Sequence, residues 1–269
     1  MEIQEKYNKL KSIISEYGKV AVAFSGGVDS TLLSKVSYDV LKENAIAITL
    51  FSPMNSKSEM KDAEELAIAI GIQHYFIYDE VIELEVAENP VNRCYHCKKT
   101  EFSKIMKKAE EQKISIVFDG SNMDDLSDYR PGLQALTELK IVSPLREAGL
   151  TKNDIRQISK ELGLRTWNKP AFACLGSRIP YGEKITPEKL TKIEKAEEYL
   201  SSIGFIQYRV RSHHDIARIE VSPNERHKLF NEELLDDISK KIKSFGYLFV
   251  CLELEGYSTG SLNREIAKS

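Results

Sequence analysis

The run Val20-Ala21-Val22-Ala23-Phe24, followed at once by Ser25-Gly26-Gly27-Val28-Asp29-Ser30 and then by a helical pattern from Thr31, constrains this chain more than any other feature. A strand that ends in a glycine-rich turn and opens directly into a helix aims backbone N–H groups and the positive helix end at one point, which is how proteins hold phosphate. Gly26 and Gly27 carry no Cβ, so the backbone there can take left-handed angles and approach an anion closely. The loop lacks the closing Gly-Lys-Ser/Thr of a Walker A sequence and is not the Gly-x-Gly-x-x-Gly of dinucleotide binders. A nucleotide pocket of another kind is expected.

Around the loop, periodicity predicts helices over about Glu5–Tyr17 and Asp29–Lys42 and a strand over Ala45–Phe51. Ser56-Lys57-Ser58-Glu59 reads as a capping box for a helix ending near Gly71, with a strand over Gln73–Tyr78 after it. An amphipathic helix from about Tyr95 to Glu111 precedes a strand over Ser115–Asp119, and a long loop runs from there to Val142. Thr151-Lys152-Asn153-Asp154 caps a further helix that Gly163 closes. Strands alternating with helices in this way form a doubly wound parallel sheet, with ligands at the carboxyl ends of its strands.

Near Thr186-Pro187 an N-cap and a first-turn proline open a charged helix reaching Ser202. Strands over 206–211, 217–221 and 247–254 and a helix over 232–245 follow. The expected fold class is α/β: a doubly wound parallel sheet over residues 1–183, joined through a linker around Tyr181–Ile185 to a small α/β domain over 184–269. A chain of 269 residues is long enough to give the larger domain a full core.

Asp119-Gly120-Ser121-Asn122-Met123-Asp124-Asp125 follows a sheet strand at the same carboxyl edge as the phosphate loop. Gly120, Asn122 and Asp125 could orient nucleotide and substrate or hold Mg2+ through oxygen ligands; the plainer alternative is a surface turn. Ser52, at the end of the Ala45–Phe51 strand, joins Ser25, Gly26, Gly27, Asp29 and Ser30 as a candidate nucleotide contact.

Cys94 and Cys97 form a Cys-x-x-Cys, and Cys174 supplies a third thiol much later in the chain. Three thiolates suit a soft-metal site, zinc or an iron–sulfur cluster, with one coordination position left open. A redox pair or two unrelated buried thiols would also account for the Cys-x-x-Cys. Four cysteines are too few for a disulfide scaffold at this size, which points to a reducing cytoplasm. Cys251, inside the apolar stretch Leu248–Leu252, is expected in a core. Arg209 and Arg211 alternate along a strand and share one face, while Arg178 follows Cys174 closely. Guanidinium forks match phosphate and carboxylate, although arginines on an edge strand can simply face solvent. His213 and His214 are adjacent on an expected strand and point to opposite faces, so without a bulge they cannot both chelate one ion. His96, between two cysteines, reads as a surface group or one that supports a ligand.

The Ser25–Ser30 loop resembles the SGG-x-DS loop of PP-loop ATP pyrophosphatases. That resemblance implies that serines and amides grip the pyrophosphate of ATP, with Asp29 near its metal. The stretches Pro90–Lys98, Asp119–Asn122 with Asp125–Gly132, Pro144–Leu164, Cys174–Gly182 and Gly256–Asn263 narrow the likeness. Over almost its whole length the chain resembles the LarE family of sulfur transferases. The resemblance implies that a pyridinium-dicarboxylate mononucleotide is adenylated by ATP and converted to a thiocarboxylate, on the way to the nickel-pincer cofactor of lactate racemase. It implies ATP with Mg2+, and a 4Fe-4S cluster on Cys94, Cys97 and Cys174 with one iron open to hydrosulfide. Asp29, Cys174 and Arg178 are then the catalytic candidates, and Arg209 and Arg211 hold the substrate phosphate. It further implies sulfide or another sulfur donor as partner, and a homo-oligomer, a hexamer. Other members sacrifice the sulfur of the cysteine matching Cys174, which is the alternative route, and PP-loop tRNA thiolation is another.

A net charge of −3 and a pI near 6.1 speak against a nucleic-acid partner. No apolar run approaches the roughly 20 residues that span a bilayer, and Met1–Lys6 lacks the apolar centre of a signal peptide. A cytoplasmic protein without a membrane partner is expected.

Overall fold

Alternation of small and branched apolar residues in Val20–Ala23 and Ala45–Phe51 builds a sheet covered on both faces. In the computed structural model, which describes residues 2–127, 131–170, 173–258 and 260–261, these are strands β1 and β2. In chain order the elements are α1 (Ile3–Tyr17), β1 (Val20–Ala23), α2 (Val28–Leu41), β2 (Ala45–Phe51), α3 (Lys57–Ile70), β3 (Gln73–Tyr78), α4 (Leu84–Ala87), α5 (Arg93–Glu111), β4 (Val117–Phe118), α6 (Gly132–Glu138), α7 (Pro144–Glu147), α8 (Lys152–Glu161), α9 (Pro187–Ser202), β5 (Tyr208–His213), β6 (Ile216–Val221), α10 (Glu232–Lys243) and β7 (Phe249–Leu252). Of the stretches that resemble LarE, residues 128–130, 259 and 262–263 lie outside the described residues.

The chain forms two compact units, residues 1–81 with 92–172 and residues 82–91 with 173–269. In the first, four parallel strands run in the order β3-β2-β1-β4. Val20, Val22, Ala45 and Ala47 pack with Leu32, Leu33 and Val36 of α2 on one face. Ala21, Ile46 and Ile48 pack with Phe102 and Ile105 of α5 on the other. The sheet is therefore doubly wound. From β1 the chain steps outward through β2 and β3, then returns to the far side of β1 as β4. The carboxyl ends of β1 and β4 thus flank the point where strand order reverses, the usual ligand crevice of such sheets.

Local signals behave as their chemistry requires. Ser56 Oγ accepts the Glu59 N–H at 3.3 Å while Glu59 accepts the Ser56 N–H at 3.1 Å, and Gly71 closes α3 at φ +82°. Thr151 and Asp154 form the same reciprocal pair at the start of α8. The expected long loop to Val142 is corrected: it holds a 3-10 turn over 123–127 and helix α6. A seven-residue helix is too short to show a period, and α6 is fixed by tertiary packing, with Leu136 buried in the α5 core.

Beneath the phosphate loop, Thr49 Oγ1 donates to the Phe24 carbonyl at 2.5 Å and lies 2.7 Å from His74 Nε2. The hydroxyl has one proton and the carbonyl takes it, so His74 must donate from Nε2. Burial lowers the His74 pKa from 6.5 to about 4. An unfolded histidine binds its proton near pH 6.5, so stability is full above that pH and drains as pH falls toward 4. The expected loss is up to about 3 kcal/mol. Thermal melts of wild type and His74→Gln between pH 7 and 4.5 check this: the wild-type curve should fall more steeply, and parallel curves would contradict it.

In the second unit the strands run β5-β6-β7, β5 antiparallel and β7 parallel to β6. Leu200 of α9 and Ile238 and Ile242 of α10 pack against Val210 and Ile219. Thr186 Oγ1 caps α9 by accepting the Lys189 N–H, with Pro187 at its first turn. Fully buried Asn89 explains why residues 82–91 belong here. Its side-chain amide donates to the carbonyls of Pro180 at 2.6 Å and Glu183 at 3.1 Å, and the Gly182 N–H donates to its backbone carbonyl at 2.9 Å. Residues 180–183, within and beside the stretch around Tyr181–Ile185, are thus held by Asn89, and the second unit takes in residues 82–91 together with 173 onward. The core expectation for Cys251 is corrected: β7 is an edge strand whose Val250 and Leu252 pack inward while Phe249 and Cys251 are exposed.

Candidate active site

Strand β1 delivers the chain into Ser25 at the mouth of the switch-point crevice. Gly26 takes φ +67°, and a Cβ there would come within 3.2 Å of the Ala63 Cα, so glycine is required by both backbone angle and space. Gly27 is the N-cap of α2. Having no side chain, it leaves the first-turn amides of Val28, Asp29 and Ser30 without a capping oxygen, and the helix dipole adds positive potential there. Ser30 Oγ accepts the Ser25 N–H at 3.2 Å and lies 3.1 Å from Ser25 Oγ, drawing the loop into a ring around the helix end.

The second loop closes on the first. A Cβ on Gly120 would stand 3.2 Å from the Ser30 backbone nitrogen and 3.3 Å from Asp29 Cβ, so only glycine lets the two loops meet this closely. Asn122 Nδ2 donates to Asp29 Oδ1 at 3.4 Å. Asp125 accepts the Asn122 N–H at 2.9 Å, and Asn122 Oδ1 accepts the Asp124 N–H at 2.9 Å. Buried Asp119 anchors the turn by accepting from the Ser121 N–H at 3.0 Å and the Ser143 hydroxyl at 2.5 Å. The structure therefore brings together Ser25, Gly26, Gly27, Asp29, Ser30, Gly120, Asn122 and Asp125. Ser52 sits at the same sheet edge, where its N–H and hydroxyl donate to Asn55 Oδ1 at 3.0 and 3.1 Å.

Two groups in this site escaped the sequence reading. Lys152 Nζ pairs with Asp29 Oδ2, and Lys169 Nζ donates to the Gly26 carbonyl at 3.2 Å and to Asp62 at 2.7 Å. Lysines are common on surfaces, and their partners here lie more than a hundred residues away in sequence; no local signal marks them.

Cys94 and Cys97 lie three residues apart in the first turns of α5, Cys94 exposed and Cys97 half-buried. Lys98 follows them; burial opposes its charge, but Glu101 at 3.0 Å, Cys97 and Asp119 outweigh that and raise its pKa. His96 lies 3.1 Å from Asn92 Nδ2. Among the described residues no three His, Cys, Asp or Glu side chains are gathered as a metal site. Cys94 and Cys97 belong to the first unit and Cys174 to the second.

In the second unit Arg178 is almost wholly buried. It donates to Glu197 through Nε and Nη2, both at 2.9 Å, and through Nη1 to the Cys174 carbonyl at 2.9 Å, stapling the Cys174 loop to α9. Arg211 pairs with buried Glu220 at 2.8 Å and donates to the Ser177 carbonyl at 2.9 Å. Arg209 lies with its guanidinium 5.0 Å above the Tyr257 ring. Burial first, then the like charge of Arg178, lowers its pKa. Neither strand arginine faces solvent, although β5 is an edge strand. His213 ends β5, and exposed His214 takes φ +52° in the following turn, its N–H donating to Glu183 at 3.3 Å.

The NAD synthase family model matches residues 2–112, the part carrying β1, the phosphate loop and α2. An uncharacterised protein of Synechocystis is 44% identical over 99% of this chain and 100% of its own length. The pyridinium-3,5-bisthiocarboxylic acid mononucleotide synthase of Lactiplantibacillus plantarum is 36% identical over 97% of this chain and 94% of its own length. The chain belongs to the LarE family. A tRNA-specific 2-thiouridylase of Halothermothrix orenii is 30% identical over only 56% of this LarE-family chain. The residues that the NAD synthase model matches include the phosphate loop, and this LarE-family protein is an ATP-using enzyme. No helix among its described residues is long and apolar enough to cross a membrane.

Proposed function

We propose that this chain is an ATP-dependent sulfur transferase that adenylates a carboxylate of a pyridinium-dicarboxylate mononucleotide and converts it to a thiocarboxylate. The reading rests above all on the switch-point loop, a glycine turn under the N-terminus of α2 with Asp29 beside Asn122. The full-length likeness to a thiocarboxylate synthase supports it. The amides of the first turn of α2 and the hydroxyls of Ser25 and Ser30 hold the β- and γ-phosphates, and Asp29 and Asp125 are the oxygen donors that would hold Mg2+ when it is bound. A substrate carboxylate oxygen attacks the α-phosphorus, and the bond to pyrophosphate breaks with its electron pair on the leaving group. Sulfur then attacks the acyl carbon, and AMP departs with the bonding pair.

Arg209 and Arg211 hold the mononucleotide phosphate, a charge-assisted contact for which guanidinium is suited, and Arg178 orients the Cys174 loop. Cys94, Cys97 and Cys174 suit a 4Fe-4S cluster in donor chemistry, and two of them are one helical turn apart on α5. Such a cluster supplies an open coordination position for sulfide, so that the Cys174 sulfur is not surrendered. The reading includes a cytoplasmic homo-oligomer, a hexamer by the family resemblance.

One experiment tests both parts. Anaerobically prepared protein given ATP, the mononucleotide and sulfide is expected to form AMP and pyrophosphate over more than one turnover, with unchanged intact mass. ADP as product would overturn adenylation. A loss of about 34 Da, the hydrogen sulfide removed by β-elimination at a thiolate cysteine, would overturn the cluster in favour of sacrificial Cys174.

A further inference from the structure

The segment that carries Cys174 is gripped through its main-chain carbonyls. Arg178 donates to those of Ala173 and Cys174, and Arg211 to that of Ser177 at 2.9 Å. Asn89 takes the next ones: its two side-chain N–H bonds are shared among the carbonyls of Ile179 at 3.3 Å, Pro180 at 2.6 Å and Glu183 at 3.1 Å. The clasp is closed from the backbone as well, the Gly182 N–H donating to the Asn89 carbonyl at 2.9 Å and the Ile185 N–H to that of Ala87 at 2.7 Å. All of these residues belong to the second unit. Fully buried Asn89 holds its place at φ +53°, in the left-handed region where glycine sits without strain. Backbone conformation therefore does not call for asparagine; the amide does. The chain runs on from this clasp into α5 and reaches Cys94 five residues after Asn89, while Cys174 precedes Pro180 by six.

We propose that Asn89 is a positioning residue for sulfur transfer, fixing the Cys174 loop in the place from which sulfur meets the acyl carbon. The proposal rests on the sulfur-transfer reading above. In that step the carbon–sulfur bond forms, the bond from the acyl carbon to the AMP oxygen breaks, and its electron pair leaves with AMP. Asn89 exchanges no proton and touches no reacting atom; it acts through the carbonyls of 179–183. Backbone strain held in place by a saturated polar side chain belongs with sites where geometry matters, and a misplacement of about 1 Å costs on the order of a hundredfold in rate. Adenylation draws on Ser25–Ser30, Gly120 and Asn122, all of the first unit, so it does not depend on this clasp.

Two variants of the full chain test this beside wild type. Asn89→Gly keeps the left-handed turn and removes the amide, and Asn89→Asp keeps the size but sets an acceptor against the carbonyls. Both should release pyrophosphate in the first turnover near the wild-type rate, while thiocarboxylate formation slows at least about tenfold. Iodoacetamide, its labelling read peptide by peptide by mass, should modify Cys174 at least about fivefold faster in the variants, the loop having lost a hydrogen bond that kept it closed. Exposed Cys251 of the same unit should label at an unchanged rate. Thiocarboxylate formation or Cys174 labelling at the wild-type rate in both variants would overturn the proposal. Equal slowing of pyrophosphate release and thiocarboxylate formation, equal acceleration at Cys174 and Cys251, or failure of both variants to fold would overturn it too, making Asn89 a residue of the fold alone. Wild type that releases pyrophosphate without forming thiocarboxylate would overturn the sulfur-transfer reading and this proposal with it.

Discussion

With Asp29 replaced by asparagine, AMP formation should fall at least about a hundredfold while the fold persists, the scale seen when a group aimed at developing charge is removed. The amide keeps the size of the carboxylate and can still meet Asn122, so the geometry of the two loops survives. What it loses is the charge that pairs with Lys152 and that Mg2+ requires. The Asp29–Lys152 pair is partly solvent-exposed, so its loss should cost at most about 1 kcal/mol of stability. Quantifying AMP beside a thermal melt checks both halves. A variant that forms AMP at the wild-type rate would place Asp29 outside the reaction.

The largest effect on stability is expected at Glu197→Ala. Glu197 accepts two hydrogen bonds from Arg178 and the Val210 N–H at 2.9 Å, with the Arg178 side chain 1% exposed. Removing one partner of a buried pair leaves the other charge uncompensated, a loss of about 3–5 kcal/mol. Because Arg178 also holds the Cys174 carbonyl, the Cys174 loop should loosen with it. Urea unfolding of wild type, Glu197→Ala and Glu197→Gln measures this. The glutamine variant, which keeps one acceptor, should lie between the others, and an alanine variant as stable as wild type would contradict the account.

These two residues mark how far the sequence could be read. Features that act within a few residues were visible from composition and spacing: the apolar alternation of β1 and β2, the Ser56–Glu59 and Thr151–Asp154 boxes, and the turn over Ser25–Ser30. The sheet and its switch point followed, because strand–helix alternation leaves little topological choice. Contacts between segments far apart in sequence were not visible. Lys152 and Lys169 meet the loop through tertiary structure alone, and Asn89 ties residues 82–91 to 180–183 through backbone carbonyls that no composition reveals. Cys251 sits in an unbroken apolar run, where the period of two cannot say which residues face inward. The arginines of β5 show the converse: alternation put Arg209 and Arg211 on one face, but only the packed structure shows that face to be buried against Glu220 and Tyr257.

The most direct test of the central claim follows the oxygen atoms. If a substrate carboxylate attacks the α-phosphorus of ATP and sulfur then expels AMP, the AMP must carry one carboxylate oxygen away. Mononucleotide labelled with heavy oxygen in its carboxylates, turned over with unlabelled ATP and sulfide, is predicted to give AMP bearing one heavy oxygen and unlabelled pyrophosphate. Unlabelled AMP, or label appearing in phosphate with ADP as the nucleotide product, would contradict the account.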